Sequence, residues 1–452
     1  MRAWMTVVFM SAGLALAALA PPPPPPSAQT VAQEAAQPAP LTLDECVSRA
    51  LGESPVEASA EFSVQSAMHA AGAAKAPYYP SLGFNLVGSR WQRRIFLPAS
   101  LSFPGQAPPT IVGPTDDYSL SLNASYLLFD GGERKAQLAS ARAREKAAEA
   151  DQGRVRQDLV LAVHQAYFSL AAALAQREVA GQDLTRAEDH LRIAKDRKEA
   201  GTVPLVDVTR AASGVAQARL GVIRADNAVR QSRGRLATAM GLGASDSVDI
   251  APGPEVPAPP EEAEFVAQET RALQFRPNLL AAAQSVEAAK QSVNQARGAF
   301  FPKVGAAAAY GHEDAAWYPE DKTWYVGVSV SVPIFTGFSR TENLAKARTD
   351  LGKAEADARQ AALLVREQVW DAYSALRASY EAIAAAQALT DAARESQRLA
   401  LERYAVGAGP LSDLLDAETA LAGAEAAQVS AEWEYRSARS QFRWSAGDLT
   451  GR

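Results

Sequence analysis

Residues 118–132 read YSLSLNASYLLFDGG, and residues 324–338 read WYVGVSVSVPIFTGF. In both stretches apolar side chains alternate with small or polar ones over about ten residues, which is the pattern of a β-strand with two unlike faces. A tilted strand of about ten residues is long enough to cross a bilayer. Two unlike faces suit a membrane strand between lipid and a lumen, and they also suit the edge of a soluble β-sandwich.

These two stretches belong to an internal repeat that organises the chain. An offset of 206 residues aligns Phe129 with Phe335 and Tyr167 with Tyr373 without a gap. Upstream the offset is 222 and aligns Pro80 with Pro302, so the first copy carries 16 more residues between its Pro80 and Phe129. The offset of 206 also pairs the residues that end and restart the helices: Gly201, Pro204, Leu205 and Asp207 with Gly407, Pro410, Leu411 and Asp413.

Each copy has the same predicted order of elements. A helix of about 20 residues follows Pro55 or Pro277, and two alternating strands come next. A long helix then runs from about 132 to 200 or from about 338 to 406. Apolar residues recur along it at coiled-coil spacing. Gly201 and Gly407 are expected to end these helices. Pro204 and Pro410 suit the first turn of a helix that returns in the opposite direction, so each copy is expected to form an antiparallel hairpin. The coiled-coil positions are Leu159, Val163, Tyr167, Leu170 and Leu174, with Val365, Val369, Tyr373, Leu376 and Tyr380 in the second copy.

The connections between the strands differ between the copies. Residues 93–115 contain five prolines without periodicity and predict a long loop, whereas residues 312–322 predict a shorter one near Trp317 and Trp324. Membrane barrels carry their longer loops outside, and aromatic side chains gather at the membrane interface. We therefore expect both loops at the extracellular end.

The N-terminus has the features of an export signal. Residues 1–20 contain an apolar run that ends in Ala18-Leu19-Ala20, a typical cleavage pattern, although the run could also anchor the chain as a helix. Residues 21–40 form a Pro/Ala-rich leader. Residues 41–243 and 263–449 are the two structural repeats, joined by the Pro-rich linker 244–262. Cys46 is the single cysteine and is expected to be a buried small hydrophobic residue.

Composition excludes several classes of protein. Lys and Arg total 45 against 51 Asp and Glu, so the net charge of −6 provides no basic field for nucleic acid. The four histidines have no metal-ligand spacing, and no nucleophile–base set points to an enzyme, so we expect neither catalytic residues nor a cofactor. Asp130-Gly131-Gly132 could form part of a phosphate loop, but it lacks the Lys-Ser/Thr that follows in such loops, and we interpret it as a strand–helix corner.

The strand count constrains the assembly. Apart from the N-terminal segment we see no other long apolar run, so membrane insertion would use a β-barrel or a surface helix. Four strands cannot close a barrel, and an open sheet edge is not tolerated in lipid. Three copies would supply 12 strands, and a dimer with eight strands is also possible.

After the leader, the chain resembles the outer-membrane efflux protein family, the TolC-like export ducts. The resemblance rests on Leu41 to Glu45, the corner Leu128 to Gly132 and the tip motifs Gly201 to Asp207 and Tyr404 to Asp416. It implies an α+β membrane protein in the outer membrane, a homotrimer with a 12-stranded barrel and a periplasmic α-helical barrel. It also implies docking onto a periplasmic adaptor protein and an inner-membrane pump, for the export of small molecules or proteins.

The resemblance also assigns roles at the hairpin tips. Asp413 and Asp416 match acids that line the closed periplasmic aperture, and Asp207 and Tyr404 match positions that link neighbouring hairpins. Acids in the first turn of a helix also favour its dipole, which is the simpler explanation. Gly409 stands where an arginine is usual, so a salt-bridge lock would need another cation such as Arg403 or Arg210, or would be absent. The tips around Gly201, Pro204, Gly407 and Pro410 are the expected adaptor contact.

A periplasmic coiled-coil scaffold without a pore is the alternative, since long Ala-rich hairpins alone do not distinguish the two. The sequence does not specify the exported substrate.

Overall fold

The computed structural model describes residues 40–91, 116–251, 259 and 261–449. The predicted signal peptide, most of the leader and the long loop 93–115 lie outside these residues. In the first copy the elements are α1 (Leu43–Glu53), α2 (Pro55–Ala73), a 3-10 turn (Ala76–Tyr78), β1 (Ser81–Arg90), β2 (Asp116–Phe129), α3 (Glu133–Glu199) and α4 (Leu205–Ala239). In the second copy they are α5 (Glu262–Phe275), α6 (Pro277–Gly298), β3 (Lys303–Asp314), β4 (Asp321–Ser331), α7 (Ser339–Ala405) and α8 (Leu411–Ser445).

The four strands form one antiparallel sheet in the order β1-β2-β3-β4. Its register places apolar side chains in rows across one face. One such row is Phe84, Leu122, Tyr310 and Trp324, and all four side chains are exposed. The adjacent row on the opposite face is small and uncharged, and it consists of Asn85, Ser121, Gly311 and Thr323. The predicted alternation is therefore confirmed, with an apolar face left uncovered.

The prediction was wrong at the ends of β3 and β4. The loop expected at 312–322 is shorter, because pairing continues through His312 with Lys322 and Glu313 with Asp321. At the other end β4 stops at Ser331, although the alternation runs on to Ile334. Pro333 explains that end, because proline has no N–H to donate to a neighbouring strand.

The two long hairpins agree with the predicted bounds within about two residues. Helices α3 and α7 have 67 residues each, a length of roughly 100 Å at 1.5 Å per residue. The predicted apolar positions from Leu159 to Leu170 and from Val365 to Leu376 are buried. Pro204 and Pro410 take the cap position just before their helices, with extended backbone angles, and not the first turn.

Two apolar cores fill the middle of the hairpins, one in each copy. In the first, Tyr167, Leu170 and Leu236 pack with Cys46 of α1. Cys46 is buried as predicted, and burial raises the pKa of its thiol to about 11. The second core holds Tyr373, Leu376, Tyr435 and Phe442. We expected no long apolar run after the N-terminal segment, but a segment of 18 residues in α3 is apolar enough to span a membrane by length and composition. Half of that segment is buried against neighbouring helices.

The strand-to-helix corner is built by local contacts, which confirms the structural interpretation of Asp130-Gly131-Gly132. Gly131 and Gly132 both have positive φ angles of 66° and 87°. The Asp130 carboxylate accepts hydrogen bonds from the backbone N–H of Gly132 at 3.1 Å and of Arg134 at 2.8 Å. These bonds occupy N–H groups that a phosphate would need.

Arg134 and Arg340 brace the two corners in the same way, and they are 206 residues apart. The Arg134 guanidinium donates to the carbonyl oxygens of Leu127 and Leu128 at the end of β2. Arg340 donates to the carbonyl oxygen of Pro333 beyond β4. Each arginine therefore joins the sheet to the helix that continues from it.

Candidate aperture at the hairpin tips

Asp413 and Asp416 lie on the exposed face of α8, in its first two turns. The opposite face is buried by Leu411 and Leu414. A spacing of three residues puts the two carboxylates on one side of the helix, about one turn apart. Neither forms an ion pair with another residue in the described part of the chain. Both acids therefore point away from the helices of their own chain.

Tyr404 is brought into contact with the first hairpin. Its side chain is 3% exposed and belongs to a tip cluster with Ala194 and Ala211 of the first hairpin and Leu411 and Leu414 of the second. Its hydroxyl has no hydrogen-bond partner among the described residues. Asp207, half-buried in the first turn of α4, is therefore not bonded to that hydroxyl within one chain.

The cation that connects the hairpin tips is Arg197, which the sequence analysis missed. Its guanidinium donates to the carbonyl oxygen of Tyr404 at 2.6 Å and to that of Ala405, and it lies 4.6 Å from the centre of the Tyr404 ring. A cation is favourable there because the carbonyls at the C-terminus of a helix carry partial negative charge. Neither Arg403 nor Arg210 forms an ion pair within the described residues; the Arg403 side chain lies beside Gly409.

A second connection, the Glu418 layer, lies just above the tips and was also missed. We define it as Glu418 of α8, His190 and Arg186 of α3, and Gln397 of α7. His190 Nε2 lies 2.8 Å from Glu418 Oε1, Gln397 donates to the same oxygen at 2.7 Å, and Arg186 Nε lies 3.1 Å from Glu418 Oε2. Arg186 also pairs with Glu425 at 3.1 Å. One buried carboxylate thus bonds to both adjoining helices.

The environment keeps Glu418 ionised. Burial alone raises the pKa of its carboxyl, but the bonds from His190 and Gln397 outweigh burial, so the net pKa is below the ordinary value. Removing one partner from such a layer leaves a buried charge uncompensated, which is costly. Glu418 lies five residues after Asp413, roughly 7.5 Å along the helix axis, so the layer holds the aspartate-bearing end of α8 in position.

The tips themselves are open to solvent. Gly201 and Gly407 have φ angles of 72° and 75° and end α3 and α7, and both are exposed together with Pro204 and Pro410. The described residues contain no group of three or more His, Cys, Asp or Glu side chains that could hold a metal ion. The arrangement offers two exposed carboxylates one turn apart on α8, and such acids attract cations.

Comparison with known proteins identifies the fold and the family. The family model described as outer membrane efflux protein matches residues 46–242 and 270–448. The protein CyaE of Bordetella pertussis is 28% identical over 413 residues, covering 90% of this chain and 84% of CyaE. The outer membrane efflux protein BepC of Brucella suis is 26% identical and covers 73% of this chain and 71% of BepC.

A crystal structure of a membrane protein from Pseudomonas aeruginosa has the same fold, with a TM-score of 0.78 at 24% identity, covering 89% of this chain and 93% of that one. The family model spans both copies of the repeat, the strands and the hairpin tips. The chain therefore belongs to the outer membrane efflux protein family, a family of transport ducts and not of enzymes, and it is an outer-membrane duct for efflux with a periplasmic extension.

Proposed function

We propose that three copies of the chain form one duct, with a 12-stranded barrel in the outer membrane and a helical barrel that ends at an aperture lined by Asp413 and Asp416. The observation that carries the proposal is the pair of open sheet edges. Among the described residues of one chain, β1 pairs only with β2 and β4 pairs only with β3. An unpaired edge in lipid leaves backbone groups unsatisfied, so β4 of one chain must pair with β1 of the next.

The distribution of side chains supports a barrel in a membrane. The row from Phe84 to Trp324 presents an uncovered apolar face, which a soluble scaffold would have to bury. On the other face, the row of Asn85, Ser121 and Thr323 is uncharged, and the next row along that face contains the acids Glu313 and Asp321. Selection by charge would then lie at both ends of the duct, at these acids near the strand ends and at the two rings of aspartates at the hairpin tips, and acids at both ends favour cations.

A passive duct needs a partner that supplies energy and cargo. The exposed tips around Gly201 and Gly407 are the surface that we propose for a periplasmic adaptor, which would connect the duct to an inner-membrane pump. The acidic rings and the largely uncharged middle of the barrel face are compatible with small molecules or unfolded proteins as cargo. Which of them is exported depends on the pump.

The oligomeric state is the direct test of this proposal. We expect native mass measurement of the detergent-solubilised protein to give a trimer that dissociates on heating, because barrel closure requires strands from three chains. A mass of two chains would indicate an eight-stranded barrel, and a stable monomer with full β-content would contradict closure between chains.

The orientation of the barrel gives a second prediction. An epitope tag inserted in the loop 93–115 should be tolerated and should bind antibody on intact cells, because the loop joins the ends of β1 and β2 that lie furthest from the helices. A tag in the tip turn at Thr202 provides the control and should bind antibody only after the outer membrane is permeabilised. The opposite result would mean that the orientation is inverted.

A further inference from the structure

A groove lies between α3, α4 and α8, close to the two aspartates of α8. Its volume is about 590 Å³, which is the size of a site for a small organic molecule. Its edge on α8 includes Leu415 and Thr419, and Thr419 lies one turn after Asp416 on the same side of the helix. The groove therefore opens on the side of the hairpins that carries the two aspartates.

The groove also lies on the face of α3 that α1 does not cover. Asp183 and Ala187 of α3 line it. Each of them comes 20 residues after a residue of the core that packs against α1, namely Val163 and Tyr167. Twenty residues make about five and a half turns, so the two pairs lie on opposite faces of the helix. Because α1 covers one face, the groove faces the passage of the proposed duct.

A glycine of α4 leaves space opposite Asp183. Arg177 of α3 pairs with Asp226 of α4 at 2.7 Å. Six residues further along α3 is Asp183, and five residues back along α4 is Gly221, so the two lie at nearly the same level of this antiparallel hairpin. A Cβ added to Gly221 would meet no atom within 4 Å. The rest of the wall is small and apolar, with Ala187, Ala218, Leu415 and Ala422.

The carboxylate of Asp183 is only weakly paired among the described residues. It lies 3.7 Å from the guanidinium of Arg186, too far for a hydrogen bond, whereas Arg186 lies 3.1 Å from both Glu418 and Glu425. One guanidinium thus faces three carboxylates. Asp183 is partly buried, and burial raises the pKa of its carboxyl above the ordinary value. A cation bound in the groove would relieve this loss of hydration.

His190 adds a hydrogen-bond acceptor to the same wall. Its side chain is 5% exposed, and its Nδ1 has no hydrogen-bond partner among the described residues. Nε2 lies 2.8 Å from the ionised Glu418, so in the neutral ring Nε2 carries the proton and Nδ1 offers a lone pair. The arginine in the lining, Arg210, is eleven residues before Gly221, roughly 16 Å nearer the tip. The Asp183 end of the groove is therefore negative and rich in acceptors.

We propose that this groove, the Asp183 groove, binds small organic cations in which an amidinium or ammonium group on a flat apolar body donates hydrogen bonds to the Asp183 carboxylate. The alanines and Leu415 contact the apolar body, and Gly221 leaves room for it. A charge-assisted hydrogen bond in a partly dry groove is stronger than one in open solvent. The groove lies within one chain, so binding does not depend on the number of chains. Only its position in the passage rests on the proposed function.

Titration of the detergent-solubilised protein with benzamidinium, followed by NMR of the ligand, tests the site, and benzamide is the neutral ligand of the same shape. We expect the dissociation constant of benzamidinium to be at least about tenfold lower than that of benzamide, and Asp183→Asn to remove the difference. Asp189→Asn neutralises an exposed acid of α3 and should leave the difference unchanged. Equal affinity for both ligands, or full affinity for benzamidinium in Asp183→Asn, would overturn the proposal. Loss of binding only in Asp413→Asn with Asp416→Asn would overturn it too, because the cation would then lie at the aspartate rings.

A second variant fills the groove without changing its charge. Gly221→Leu should raise the dissociation constant of benzamidinium at least about tenfold, because the new side chain occupies the space opposite Asp183. Gly181→Leu is the matched control: its Cβ also meets no atom within 4 Å, and it lies about 200° around α3 from Asp183, so binding should not change. Binding that survives Gly221→Leu, or falls equally in both variants, would overturn the groove as the site. A native mass other than three chains would instead overturn the proposed function and leave the groove intact.

Discussion

Asparagine at both Asp413 and Asp416 is expected to abolish block of the duct by trivalent cations added from the periplasmic side. In a trimer the two residues form two rings of three carboxylates, one turn apart, on the exposed face of α8. Rings of acids concentrate and hold multivalent cations where the passage is narrow. Asparagine has nearly the same size, so the packing of Leu411 and Leu414 on the opposite face should not change. The concentration for half-block should rise by at least about tenfold.

The control removes the same number of charges elsewhere on the tips. Asp189→Asn with Asp196→Asn changes two exposed acids of α3, seven residues apart, near the end of the first hairpin. If block depends on the rings, this pair should leave it nearly unchanged, since exposed charges beyond about 8–10 Å are screened in physiological salt. Equal loss of block in both double variants would indicate a general surface charge, and unchanged block in the first would show that the acids do not line the constriction.

The sequence predicted most of the architecture because its main signals are periodic and local. The alternation around Leu122 and Val328 specified strands, and the spacing of Leu159, Val163 and Tyr167 specified the buried stripe of α3. The duplicated order of elements then identified the family. The errors, at the ends of β3 and β4 and in the placement of Pro204, concern boundaries, where pairing with a neighbouring strand or a single proline decides the outcome.

The connections between the hairpins were not predicted, because their partners are far apart in sequence. His190 and Glu418 are separated by 228 positions and Arg197 and Tyr404 by 207. No period or motif relates such pairs, and each residue alone resembles an ordinary charge on a helix. The sequence did contain a signal for Arg197: the repeat offset of 206 residues pairs it with another arginine, Arg403, just as it pairs Arg134 with Arg340. Glu418 had no such signal, because its equivalent is Ala212.

Among substitutions that add one methyl group at the corner between β2 and α3, Gly131→Ala is expected to destabilise the assembled trimer most. Gly131 has a φ of 66°, which an L-residue adopts at a cost of roughly 1–2 kcal/mol. A Cβ at this position would lie 2.7 Å from the carbonyl oxygen of Gly298 and would also overlap the Phe301 side chain. Overpacking of this kind costs roughly another 1–3 kcal/mol, so we expect about 3 kcal/mol in all.

Substitutions at two other glycines separate the cost of backbone strain from the cost of steric overlap. Gly132→Ala also introduces a methyl group at positive φ, 87°, but nothing lies within 4 Å of the new Cβ, so only the backbone strain should appear. Gly327→Ala in β4 has neither strain nor contact and should be nearly neutral. The dissociation temperature of the trimer, with its yield in the outer membrane, should therefore fall in the order Gly327→Ala, Gly132→Ala, Gly131→Ala. Equal effects at positions 131 and 132 would show that α6 does not pack against this corner, and the sheet would then lack its contact with the helix beneath it.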